Sequence, residues 1–265
     1  MADISPFRGL RYNHSLVNDL SQVICPPYDV ISSELQEALY QRSPYNIIRL
    51  EYGKAKPESD HYAAISHTFN DWRRQGILIA DPQPAFYLQR ESYIDDLGTT
   101  RTRYAILGRI RLQADGAILP HEETRAAAKQ DRLDLVSACR ANFSPIMGLY
   151  RDTSGEILQV IERTTTKAPV LQISDPQKET LALWRIPESL DIDILQDTLR
   201  PLPFYIADGH HRYETALAYR NSLGVGNPKG DAASNFVMSY LVELTDPGLL
   251  LLPYHRLVSG LDPVT

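Results

Sequence analysis

Two imidazoles and a guanidinium stand side by side at His210, His211 and Arg212, directly after Asp208-Gly209. The residues around them read as strand, tight turn and helix. Phe204 to Ala207 is a short apolar run of strand type, and Glu214 to Leu223 is rich in helix formers, with Tyr213, Ala216, Leu217 and Tyr219 spaced as an apolar stripe. Asp208 reads as the N-cap of that helix. The three side chains then fall in its first turn, where backbone N–H groups lack partners and the helix dipole is positive. A glycine that permits close approach, free amides and three cationic or donor side chains are the parts of an anion site, most simply one for phosphate. The competing reading is a polar helix start with Arg212 paired to a surface carboxylate. Against it, three adjacent cation-capable groups at a positive helix end repel one another unless an anion joins them.

A second group of candidates lies at Cys25-Pro26-Pro27-Tyr28-Asp29. Consecutive prolines impose a stiff, non-helical path and so hold a ring and a carboxylate in a fixed place. The bland alternative is a turn in which Asp29 or Ser32 caps a helix over about Ser33 to Gln41. Cys25 has no local Cys-His pattern around it and reads as a small buried residue. Glu122 opens a long helix, running to about Arg140, from Pro120, with acidic residues at its positive end. The charges at His121, Glu122, Arg125, Lys129 and Arg132 recur at helical spacing and read as a solvated, salt-bridged face. Arg8 and Glu51 complete the set, Arg8 as a bidentate partner for phosphate or carboxylate.

The elements that must position these residues follow from periodicity. Ile4 to Tyr12 is extended, and Asn46 to Tyr52 reads as a strand with Glu51 opposite Ile48 and Leu50. Asp60 to Gln75 is an amphipathic helix with Ala64, Ile65, Thr68, Phe69 and Trp72 on its apolar side and Gly76 as its stop. Residues 85–94 and 99–112 alternate around Asp95-Asp96-Leu97-Gly98 as a hairpin, with Arg90, Glu91, Arg101, Arg103, Arg109 and Arg111 on solvated faces. Further strands are expected at 143–150, 170–173, 180–186, 235–243 and 249–258, and helices from 155 to about 164 and at 192–199.

At 265 residues with 43% hydrophobic and 23% charged content, the chain can bury an ordinary globular core. A net charge of −6 disfavours a nucleic-acid partner, which needs a basic face. Two cysteines, no apolar run of spanning length and no signal-peptide pattern at Met1 to Gly9 point to a reduced, cytoplasmic protein without a membrane partner.

The segments Pro6-Phe7-Arg8-Gly9, Pro26-Pro27-Tyr28-Asp29-Val30, Pro120-His121-Glu122, Asn142-x-Ser144-Pro145, Asp208-Gly209-His210-His211-Arg212-Tyr213 and Asp246-Pro247-Gly248 with His255-Arg256 carry a resemblance. Jointly they resemble a large prokaryotic domain-of-unknown-function family that is similar to the ParB/sulfiredoxin superfamily and its free serine kinase branch. The resemblance spans nearly the whole chain and implies a C-terminal continuation. Sulfiredoxins carry a catalytic cysteine where His210 stands, which removes that chemistry. The partitioning proteins of the superfamily bind a nucleotide triphosphate in this region but read DNA with a helix-turn-helix that this sequence lacks. The serine kinase branch matches the turn best.

The expectation is therefore an α+β protein, a mixed sheet with peripheral helices and a ParB/sulfiredoxin-like core around 203–223. It forms a single unit that divides at most into lobes 1–165 and 166–265. The resemblance implies a nucleotide-dependent kinase using ATP or ADP with Mg²⁺, free L-serine the leading acceptor. Asp208, Gly209, His210, His211, Arg212 and Arg8 would bind phosphate, and Asp29, Glu122 and Glu51 are the candidate catalytic carboxylates. Which residues would hold a metal is left open, as is the oligomeric state. A non-catalytic, ParB-like nucleotide-binding module is the alternative.

Overall fold

The computed structural model describes residues 3–54, 60–112, 118–119, 126–174, 180–224 and 230–252, with backbone alone at 126–128. In chain order its elements are β1 (Ile4–Ser5), β2 (Leu10–Tyr12), α1 (Ser33–Arg42), α2 (Ile48–Glu51), α3 (His61–Arg74) and β3 (Leu78–Ala80). There follow β4 (Phe86–Ile94), β5 (Thr100–Arg111), β6 (Ile118–Leu119), α4 (Ala126–Cys139), β7 (Ile146–Tyr150) and α5 (Glu156–Thr165). The last are β8 (Leu171–Ser174), β9 (Thr180–Ile186), α6 (Ser189–Leu199), β10 (Phe204–Asp208), α7 (His210–Ser222) and β11 (Phe236–Glu243).

Among the described residues nine strands form one sheet in the order β6-β10-β7-β11-β5-β4-β9-β8, with β1 on β5. The pairs β6–β10 and β7–β11 are parallel, and the hairpin β4–β5 is antiparallel. The fold is thus α+β with a mixed sheet, and strands from both sides of residue 165 interleave in it. Two-residue alternation sends Phe86 and Leu88 of β4, Ile106 and Ile110 of β5 and Trp184 and Ile186 of β9 into one buried cluster. Ile157 and Val160 of α5, Leu195 and Leu199 of α6, and Tyr213 and Ala216 of α7 complete it. A second core joins Ile65, Phe69 and Trp72 of α3 to Leu135 and Cys139 of α4 and to Leu50. Helix α4 packs on both α3 and α7, so it links the two cores.

Helix α1 is capped by Ser32, whose hydroxyl accepts from the Leu35 amide, and α3 by Asp60, with Gly76 in the left-handed region after it. Three expectations are corrected. Asn46 to Tyr52 is not a strand: the fully buried Asn46 donates to the carbonyls of Gln22 (2.8 Å) and Ile24 (3.0 Å) and accepts from the Ile48 amide (3.0 Å). This starts the one-turn helix α2, in which Ile48, Leu50 and Glu51 are all buried. Ala64 lies exposed and takes no part in the apolar side of α3. The arginines of β5 are not a solvated face: Arg103 pairs with Glu91 at 2.6 Å, Arg111 with Asp3 at 2.6 Å, and Arg109 lies 4.1 Å over the Phe236 ring. Of the terminal strand expected at 249–258, residues 249–252 are irregular and the rest lies outside the described residues.

Candidate functional site

The chain passes from β10 into α7 through Gly209, whose φ of +88° is the left-handed conformation that favours glycine. Gly209 itself is the N-cap, with no side-chain cap bond, so Asp208 is the last residue of β10 and not the cap expected for it. A register shift between Ile206 and Asp208 against β7 re-aims this strand end. Asp208 instead forms an ion pair with Arg212 one turn on, and the other arm of Arg212 donates to the Pro145 carbonyl at the start of β7. The repulsion expected among the three cation-capable residues is therefore relieved from within, by Asp208. His210 is buried at 4% exposure, and His211 and Arg212 are half-buried.

Facing that turn is a network that begins on α4. Arg132, only 7% exposed, donates to Asp131 (2.7 Å) and to the Glu51 carbonyl (2.9 Å), and its Nη1 lies 3.6 Å from Glu51 Oε1. Its guanidinium is 4.1 Å from the centre of the Tyr28 ring. Tyr62 of α3 donates to the second oxygen of Asp131 at 2.8 Å, which fixes that carboxylate from the far side. The buried Glu51 accepts at 2.7 Å from the Ser144 hydroxyl, one residue before the carbonyl that holds Arg212. Glu51, Arg132, Phe143, Ser144, Arg212 and Thr215 line one cavity of about 50 Å³. Its walls are clamped by a Lys129–Glu214 ion pair between α4 and α7, and by Asn142, which accepts from the Met238 amide of β11 at 2.9 Å.

Burial raises the Tyr28 hydroxyl above its usual value, although Arg132 and Arg212, both close to it, favour its ionised form. Asp29 is exposed on the same short 3₁₀ turn, Tyr28–Val30. Cys25, at the head of that segment, has its thiol pushed up to about 12, mainly by burial and further by Glu51.

Of the residues expected at the site, the structure therefore brings Glu51 and Arg212 onto one cavity; Asp208 is tied to Arg212, Gly209, His210 and His211 belong to the turn that leads into it, and Asp29 lies exposed next to Tyr28. Glu122 lies outside the described residues. Arg8 is held elsewhere: its Nε donates to the Asp81 carbonyl at 2.8 Å, and Asp81 is clamped by Arg11, Arg185 and Tyr87. From Tyr87 the register runs through Leu107, Tyr240 and Met147 to Asp208, four strand spacings or roughly 19 Å along the sheet. In the same Pro-Phe-Arg-Gly segment the Gly9 amide donates to the Tyr87 hydroxyl at 2.8 Å, and a Cβ at Gly9 would come within 2.6 Å of it.

Arg132 was hidden by its setting, a helix whose other charges suggest a solvated face. The signal that could have found it is indirect: Ser144 and Tyr28, which meet it through Glu51 and by stacking, sit in short Pro-containing segments. Among the described residues no group of three or more His, Cys, Asp or Glu side chains is arranged to hold a metal ion, and no helix is long and apolar enough to cross a membrane.

A mixed α+β sheet carrying a glycine-opened helix start against a buried arginine–carboxylate pair defines the class. Over residues 4–265 the chain matches the model of the family described as Protein of unknown function (DUF1015), and it belongs to that family. Comparison with curated proteins and with solved structures finds no match.

Proposed function

We propose that this chain is a nucleotide-dependent phosphotransferase of the cytoplasm, moving a phosphoryl group to the hydroxyl of a small molecule, free L-serine the leading acceptor. The observation that supports this reading is the convergence of Arg212, from the first turn of α7, and the buried carboxylate of Glu51 on one cavity. The lining comes from segments as distant as residues 51, 132, 144 and 212, and Tyr28 stacks on Arg132. The first-turn amides of α7 and Arg212 hold the phosphate being transferred and neutralise its charge, which is most of what phosphoryl transfer demands. Glu51, oriented by Arg132 and Ser144, accepts the proton of the attacking hydroxyl. Asp208 braces the turn through Arg212. The exposed Asp29 suits the Mg²⁺ that enters with the nucleotide as substrate. The strand-turn-helix at 203–223 is read, by the same resemblance, as a ParB/sulfiredoxin-like core.

The cavity of about 50 Å³ suits a phosphoryl group, and the nucleoside then lies outside it, since pockets for whole ligands run to about 300–1,000 Å³. The internal pairing of Arg132 and Arg212 favours a second reading, a nucleotide-binding module without turnover. Nucleoside diphosphate formation from Mg²⁺-ATP, or monophosphate from Mg²⁺-ADP, that depends on added L-serine supports the kinase. Nucleotide binding by equilibrium dialysis with no acceptor-dependent product supports the module, and no binding of either nucleotide overturns both.

A further inference from the structure

The hydroxyl that meets Glu51 in this structure belongs to the chain itself. Ser144 Oγ donates to Glu51 Oε1 at 2.7 Å, on the wall of the cavity that Arg212 also lines. Its place is held from both sides. Pro145, the next residue, restricts the Ser144 backbone and offers its carbonyl to Arg212, while Asn142, two residues earlier, is tied to the Met238 amide. Glu51 is in turn held by Arg132, so the carboxylate cannot swing away from the serine without leaving that pair. A serine hydroxyl bonded to a carboxylate that a third group orients is the arrangement by which an alcohol is activated as a nucleophile. Here it shares the cavity with the Arg212 guanidinium.

We infer that Ser144 is a phosphoryl-accepting nucleophile, and that transfer proceeds in two steps through a phosphoserine at this position; the inference rests on the phosphotransferase reading of the same site. In the first step Ser144 Oγ attacks the terminal phosphorus of the nucleotide and its proton passes to Glu51. The bond from that phosphorus to the bridging oxygen breaks, and the shortened nucleotide leaves with the electron pair. In the second step the acceptor hydroxyl attacks the phosphoserine phosphorus and gives its proton to solvent. Glu51 returns its proton to Ser144 Oγ as the serine O–P bond breaks. The first step needs no acceptor, which separates this route from direct transfer.

The test is to incubate the full chain with Mg²⁺ and ATP or ADP labelled on the terminal phosphate, without acceptor, and to map acid-stable label by peptide mass spectrometry. Nucleotide binding is measured in parallel by equilibrium dialysis. Label on Ser144, lost in Ser144→Ala and moved to phosphothreonine in Ser144→Thr, with release of the label when L-serine is added, is the expected result. The threonine variant keeps the hydroxyl and guards against a folding defect in the alanine variant. Serine-dependent turnover with no label on the wild-type chain overturns the two-step route and leaves the phosphotransferase reading standing. Bound nucleotide with neither label nor turnover overturns both in favour of the binding module, and absence of nucleotide binding removes every one of these readings.

Discussion

The buried pair of Glu51 and Arg132 allows a quantitative test. Arg132→Met removes the guanidinium with little change of volume and leaves Glu51, 5% exposed, with Ser144 as its remaining side-chain hydrogen-bond partner among the described residues. At the observed 3.6 Å and an effective dielectric of about 20, the lost attraction is about 4–5 kcal/mol, much of it offset by the desolvation already suffered by both groups. Stranding one member of a buried pair typically costs about 3–5 kcal/mol, and loss of the Tyr28 stacking adds roughly 0.5–2 kcal/mol. A chain of this size then loses roughly 7–28 °C in melting temperature. Glu51→Gln behaves differently, because it keeps an acceptor for Ser144 and leaves Arg132 paired with Asp131 at 2.6 Å; about 1–2 kcal/mol is expected. The double variant removes the stranded charge, so its cost falls below the sum of the two single costs by at least about 1 kcal/mol. Urea unfolding of the four proteins measures all three differences. Strict additivity, or an Arg132→Met cost under about 1 kcal/mol, refutes the claim that this pair is buried and mutually dependent.

Three further outcomes are expected. Gly209→Ala forces a side chain into a left-handed conformation at a cost of about 1–2 kcal/mol, and its Cβ stands 3.0 Å from Arg212 Nε, displacing the guanidinium. Gly98→Ala, at a φ of +78° with nothing within 4 Å, suffers only the first effect; both lower the urea midpoint, but only Gly209→Ala abolishes the melting shift given by nucleotide. Burial would raise the Asp81 carboxyl, yet Arg11, Tyr87 and Arg185 outweigh it and hold it below the usual range. That stabilisation is fully present above the unfolded carboxylate value and is lost as pH falls below it and through the lower value of the folded state. Wild type therefore exceeds Asp81→Asn in stability at pH 7, and the gap closes below about pH 4 in paired denaturation curves. Burial pushes the thiols of Cys25 and Cys139 up to about 12 and about 11, so neither reacts rapidly with a disulfide reagent at pH 8 until urea unfolds the chain.

By itself the sequence determined the elements whose signals are local. The β4–β5 hairpin, the helices α1 and α3, and the strand-turn-helix at Gly209 all follow from periodicity and turn residues within about a dozen positions. Membership in an uncharacterised family was legible as well, from short motifs spread along the chain. Tertiary structure alone decided what those residues meet. Asn46 turns an apparent strand into the one-turn helix α2 only because the carbonyls of Gln22 and Ile24 lie within its reach. Arg132 leaves an apparently solvated helix face because Glu51 and Tyr28 arrive from elsewhere in the chain to compensate its burial. Arg8, equal to the others on residue type, is drawn to Asp81 and away from the Gly209 turn. Local propensity depends on neighbours in the chain, whereas the pairing of buried charge depends on which segments share a cavity, and that is set by the register of the sheet.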